Sequence, residues 1–268
     1  MESSASAWLS TQLVSIQLHH DGTLDLSTQT QLANNASWLQ PHFSPEDDLV
    51  ALGDPDNWWN PYVFVQTAHR HIEAVRLFDE IFPVEFTTAP WALGLSTYAW
   101  DNQGHLHALV QDKGYSHYWR FDAQSKAKQS VTLPFSRLSS LSLSATHAYL
   151  VADSEDRYPG VIALDLAELS WQIIIGAGKP DYPVNLPQSY WIKVANTYDV
   201  QSFYYPPQKQ LTHEQTPPPL ILLTHGGPTS ATYPVLNPRV QYWTSAGFAV
   251  PILIIGVPVV MGEHFVVP

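Results

Sequence analysis

Short β-rich runs separated by turn signals fill the first 185 residues and restrict the fold of this region more than any other feature. They are Leu13–Leu18, Leu49–Leu52, Tyr62–Val65, His105–Val110, Ala148–Ala152, Gly160–Leu164 and Trp171–Ile175. His20-Asp21-Gly22, Asn102-Gln103-Gly104 and Asp112-Lys113-Gly114 supply turns between them. Strands at this spacing predict a sandwich, a barrel or a propeller. One stretch breaks the pattern. Over His69–Phe82, residues Ile72, Val75, Leu77, Phe78 and Ile81 fall at helical spacing, which predicts a helix there.

Two features favour the propeller. Phe43-Ser-Pro-Glu-Asp-Asp-Leu-Val50 is similar to the turn that opens an inner strand in many propeller blades, and Asp54-Pro-Asp-Asn-Trp-Trp-Asn-Pro-Tyr-Val-Phe64 leads into the next strand. Similar units then recur. One has Pro90-Trp91, Tyr98-Ala-Trp100, a turn at Gly104 and a strand through Val110; another runs from Leu138 to Ile175. A repeat of about 40–50 residues is one four-stranded blade. Residues 1–185 are therefore expected to be a partial β-propeller of about three to four blades, fewer than a closed ring normally holds.

The pattern changes after a connector at 176–219. Within the connector, Ser189–Ala195 and Val200–Tyr205 predict two antiparallel strands joined at Asn196–Asp199. Leu220–Leu223 is a short unbroken apolar run stopped by His225-Gly226-Gly227-Pro228, and it predicts a strand buried on both faces. Pro238–Ala246 predicts a helix with Asn237 as cap, Pro238 in its first turn, Val240 and Trp243 toward a sheet, and Gly247 as the stop. Phe248–Leu253 predicts another buried strand. Strand, glycine loop, helix and strand open a parallel sheet. Residues 186–268 are accordingly expected to begin an α/β domain. Glycines after such a strand let backbone N–H groups turn toward a developing negative charge, as an oxyanion hole requires.

Charge and composition exclude several classes. Asp+Glu total 24 against 12 Lys+Arg, so the net charge of −12 disfavours nucleic acid and anionic membranes. The chain has no cysteine, which removes disulfides and thiolate sites. Met1–Gln12 offers neither the basic start nor the apolar run of a secretory signal, and no apolar run reaches the length of a membrane-spanning helix. The expected location is cytoplasmic. The histidine pairs His69/His71 and His105/His107 can each share one strand face, but no third ligand accompanies them and no metal site is predicted.

Asp199-Val-Gln-Ser-Phe-Tyr-Tyr-Pro-Pro207, Pro217–Ser230 with its His-Gly-Gly-Pro, and Gln241-Tyr-Trp-Thr-Ser-Ala-Gly-Phe-Ala-Val250 resemble the prolyl oligopeptidase family of serine peptidases, and among them the dipeptidyl aminopeptidase/acylaminoacyl-peptidase branch. The resemblance implies a β-propeller joined to an α/β-hydrolase domain. It implies short peptides as substrates and acyl transfer through a Ser-His-Asp triad, with no cofactor. Carried over, the Gly227 N–H is the oxyanion donor, Gly226 gives the loop its turn, and His225 and Pro228 are structural. The departure is in the triad. No Gly-x-Ser-x-Gly pentad occurs in the 268 residues, and the sequence ends 40 residues after Pro228. This chain alone is expected to be catalytically incompetent. The alternatives are a non-catalytic propeller that serves as a binding module, or a pseudogene remnant.

The tail suggests how the triad was lost. After Leu253 the family pattern resembles Asn-Tyr-Arg-Gly-Ser-x-Gly-Tyr-Gly-Arg, whereas this chain has Ile254-Ile-Gly-Val-Pro-Val-Val-Met-Gly-Glu-His-Phe265. A back-translation of that tail, read one base out of frame, gives Asn-Tyr-Arg-Gly-Ser-Ser-Gly-Tyr-Gly-Arg. A frameshift near codon 254 is therefore expected. The family also places more propeller before its glycine loop, so Met1 is expected to be an internal start.

Overall fold

The computed structural model describes residues 11–34, 36–69, 71–88, 94–194, 198–209, 217–224, 226 and 232–253. The His225, Gly227, Pro228 and 254–268 expectations lie outside the described residues. A two-stranded antiparallel sheet comes first, β1 (Leu13–Leu18) and β2 (Leu24–Ala33). Three four-stranded antiparallel meanders follow in chain order. The first blade is β3 (Trp38–Phe43), β4 (Leu49–Gly53), β5 (Asn60–Gln66) and β6 (Ile72–Arg76). The second is β7 (Tyr98–Trp100), β8 (Leu106–Asp112), β9 (Tyr115–Phe121) and β10 (Lys128–Val131). The third is β11 (Arg137–Leu143), β12 (His147–Ser154), β13 (Arg157–Asp165) and β14 (Trp171–Gly176). Within each blade, strands adjacent in sequence are adjacent in space, the propeller-like arrangement that the repeat predicted.

Period-2 alternation explains how the blades stack. In β8, Leu106, Ala108 and Val110 point into a core shared with Val50 and Leu52 of the first blade, while Leu109 points into a core shared with Leu138, Leu150 and Ile162 of the third. Side chains of a strand alternate between faces, so a blade buried between two others must be apolar on both. Aromatic residues fill the first interface. Phe78 stacks on Phe121 with centroids 4.2 Å apart, and Phe82 meets Trp119 edge-on at 5.4 Å. Gly53 is required by Trp38, because a Cβ at residue 53 would fall inside the space of the indole ring.

The inner strands also bond one another. Gln40 lies in a bulge of β3 with φ 51°, and its side chain donates to Thr87 (2.7 Å) and Thr97 (3.0 Å) and accepts the Thr97 N–H (2.9 Å). The Tyr98 hydroxyl donates to the Gln40 carbonyl at 2.6 Å. Ser140 lies in a bulge of β11 with φ 56°, and the neighbouring Leu141 N–H donates to the Ser96 carbonyl at 2.8 Å. Bulges free these ladder groups for the adjacent blade.

The predicted helix over His69–Phe82 is a strand. Ile72–Arg76 pairs antiparallel with β5, and the run that follows is irregular, with Phe78, Phe82, Val84 and Phe86 buried. The edge of β5 offers ladder bonds that a helix would leave unmade, and Pro83 disfavours helical backbone at Phe82. The spacing of the aromatic residues there serves the interblade core rather than a helix face.

The last sheet has the order β15-β16-β18-β17. Its members are β15 (Gln188–Val194), β16 (Tyr198–Tyr205), β17 (Leu223–Thr224) and β18 (Val250–Leu253), with helix α1 (Pro238–Ser245) between the last two in sequence. β15 and β16 are antiparallel; β17 and β18 are parallel. The Asn237 side chain caps α1 by accepting the Arg239 N–H at 3.0 Å, and Gly247 ends the helical run at φ 93°. Two expectations need correction. Leu220–Leu223 is not buried on both faces: Ile221 and Leu223 pack inward, but Leu220 and Leu222 are 58% and 53% exposed, because packing covers one side of this run only. Trp243 does not face the sheet fully. It is 37% exposed against Phe248, since the buried stripe of α1 runs through Val240, Gln241 and Thr244.

Candidate functional site

The apolar run 220–223 joins the sheet through a parallel bridge from Leu220 to Ala249 and a short ladder from Leu223–Thr224 to Ile252–Leu253. It therefore places Thr224 at the carboxyl end of a parallel pair. Open α/β sheets bind ligands at that edge. Gly226 forms an exposed bend, and nothing lies within 4 Å of where its Cβ would be. A cavity of about 570 Å³ opens beside Thr224 and Ile252. Tyr233, Arg239 and Trp243 line its α/β side, and Arg137 at the start of β11 reaches it from the third blade. The Arg137 guanidinium sits over the Tyr233 ring, 4.9 Å from the centroid. Burial raises the pKa of the Tyr233 phenol, and the arginine acts against that rise.

The blades bond the α/β part through the turns that join their second and third strands and through Ser136 in the link between the second and third blades. The Ser136 hydroxyl donates to the Pro234 carbonyl (2.6 Å), and the Leu236 N–H donates to the Ser154 carbonyl (2.7 Å). The Gln201 amide donates to the Lys113 carbonyl (2.7 Å), and Tyr115 packs edge-on against Phe203. Tyr115 also donates to Glu155 at 3.1 Å. Burial raises the pKa of Glu155, and that hydrogen bond only partly offsets it.

No family model and no curated protein matches the chain. Solved structures do. Puromycin hydrolase complexed with PGG superposes with a TM-score of 0.86 at 24% identity, over 97% of this chain and 39% of that one. A Mycobacterium tuberculosis puromycin-hydrolyzing peptidase gives 0.84 at 21% identity, over 97% and 40%. Prolyl oligopeptidase B from Galerina marginata gives 0.72 at 11% identity, over 97% and 35%. The chain has the fold of these peptidases. It spans about two fifths of their length or less.

Within this peptidase fold the histidine pair of the second blade is structural. His105 and His107 both reach Asp101 Oδ2, at 2.9 and 3.2 Å. Tyr118 bonds the other ring nitrogen of His107 at 2.7 Å, so this fully buried imidazole is engaged on both sides. Asp101 also accepts the backbone N–H groups of Gln103 and His105, each at 2.9 Å. Burial raises the Asp101 pKa, but these donors outweigh it and hold the carboxyl below its usual range; burial depresses His107. Among the described residues no group of three or more His, Cys, Asp or Glu could hold a metal ion. Sequence reasoning missed Arg137, Tyr233 and Arg239. They meet across about a hundred residues of chain, and no local pattern marks them.

Proposed function

We propose that this chain is the propeller and first α/β strands of a serine peptidase of the prolyl oligopeptidase family, acting on short peptides in the cytoplasm. The observation that supports this reading is the parallel pairing of β17 with β18, whose carboxyl end at Thr224 borders a cavity that Arg137 of the third blade also lines. In this reading residues 1–185 gate access and residues 186–268 begin the hydrolase domain. The Gly227 N–H is the oxyanion donor, Gly226 shapes the turn, and His225 and Pro228 hold the loop. An oxyanion hole stabilises nothing without a nucleophile and base, and these 268 residues hold no Gly-x-Ser-x-Gly. The chain as given should therefore hydrolyse aminoacyl and peptidyl anilides at the rate of the blank.

Resequencing the DNA across codons 245–275 and beyond tests the origin of the tail. One additional base should restore the frame and reveal a Gly-x-Ser-x-Gly downstream. The frame-restored protein should cleave short peptide anilides, and Gly227→Pro in it, which removes the N–H, should lower kcat by about 10²–10³-fold. A restored protein without hydrolase activity would overturn the reading.

A further inference from the structure

We propose that the cavity at the carboxyl ends of β17 and β18 binds the carboxylate of a peptide, with Arg137 and Arg239 as the donors. This inference rests on the peptidase reading and adds a substrate class to it. Two of the 12 basic residues of an acidic chain line this one cavity, and no acidic side chain is among the described residues lining it. They come from distant elements, the first residue of β11 and the first turn of α1, so local sequence does not explain their convergence.

Arg137 is positioned rather than free. The Tyr233 ring lies under its guanidinium, 4.9 Å from Cζ to the ring centroid, a contact that uses the face of the guanidinium and not its N–H edge. Asp153 stands opposite Arg137 in the β11–β12 ladder, yet no carboxylate oxygen of the described residues lies within 4.0 Å of either guanidinium. The donors of both arginines therefore remain available for a carboxylate, the planar acceptor that a guanidinium pairs with bidentately. The rest of the wall suits the body of a peptide: Trp243 and Ile252 are apolar, and Thr224 leads directly into the glycine loop. A peptide with its carboxylate on the arginines would thus lie against Thr224, at the carboxyl end of β17.

The test is isothermal titration of the full chain with Ala-Ala-Phe as the free acid and as the C-terminal amide. The free acid should bind roughly tenfold more tightly than the amide, the scale of one charge-assisted pair. Arg137→Gln should abolish the difference, Arg137→Lys should keep part of it, and Arg239→Gln should reduce it. Arg137 is exposed, so the variants should keep the wild-type melting temperature, and the lysine variant guards against a folding artefact. Equal affinity for acid and amide would overturn the carboxylate assignment and leave the peptidase reading in place. Failure of both peptides to bind would also overturn it. The peptidase reading is judged separately, by hydrolysis in the frame-restored protein.

Discussion

At the scale of single residues, Asp101 and His107 make the second blade sensitive to acid. Burial depresses the pKa of His107 in the folded protein, so the unfolded chain takes up that proton first. The contribution of His107 is complete above its unfolded pKa of about 6.5 and declines as pH falls below it. Asp101 acts lower. Its folded pKa is depressed, so its stabilisation holds above about pH 4 and is lost as pH falls through the folded value. Melting curves between about pH 3 and 8 should show two successive losses, and His107→Gln should remove the upper one. A variant that retains the upper loss would assign it to other histidines. The sequence made part of this network visible. The His105/His107 spacing gave the shared strand face, and Asp101 sits in the turn just before them, but Tyr118 comes from the neighbouring strand β9, and a cross-strand partner leaves no mark in a linear pattern.

At the scale of elements, α1 is fixed at two points of different strength. Asn237 caps an exposed end, and Asn237→Ala should cost about 1 kcal/mol. Gln241 is buried and bonds both backbone groups of Asn185 in the connector, at 2.7 and 2.9 Å. Gln241→Ala leaves both of those groups without that partner and should cost about 2–4 kcal/mol. Denaturant melts of the two variants check the order, and a larger loss for Asn237 would contradict it. The cap and the stop of α1 were legible because they are local: Asn-Pro at one end and Gly247 at the other. The buried face was not fully legible, because the connector sets it and the sheet alone does not. Strands show the same division. β1 matches its predicted bounds, Leu13–Leu18, while polar β2 and β10, which carry little apolar alternation, were not anticipated.

At the scale of the whole molecule, the contact between blades and sheet includes one unfavourable charge. Burial raises the pKa of Glu155, so the folded state is favoured while the carboxyl is protonated, and that contribution is lost as pH rises through the folded value. Glu155→Gln keeps an acceptor for Tyr115 and removes the charge. It should raise the melting temperature at neutral pH and leave it unchanged near pH 4. A variant less stable at neutral pH would show that the carboxylate contributes favourably to the interface. The three repeating blades were legible from turn glycines and strand spacing. The contacts that seat the sheet on them, such as Ser136 with Pro234, were not, because they join residues far apart in sequence.

Gln40 bonds inner strand to inner strand, so it does not act within one sheet but between two. A sheet can twist and still pack, whereas a side chain that bonds two threonines and one backbone N–H of the next blade holds the narrow corner of the wedge at one opening. Ser96 and Leu141 do the same one blade further on. The spacing between neighbouring blades is thus pinned by a few polar atoms near their first strands as well as by the apolar cores between the sheets.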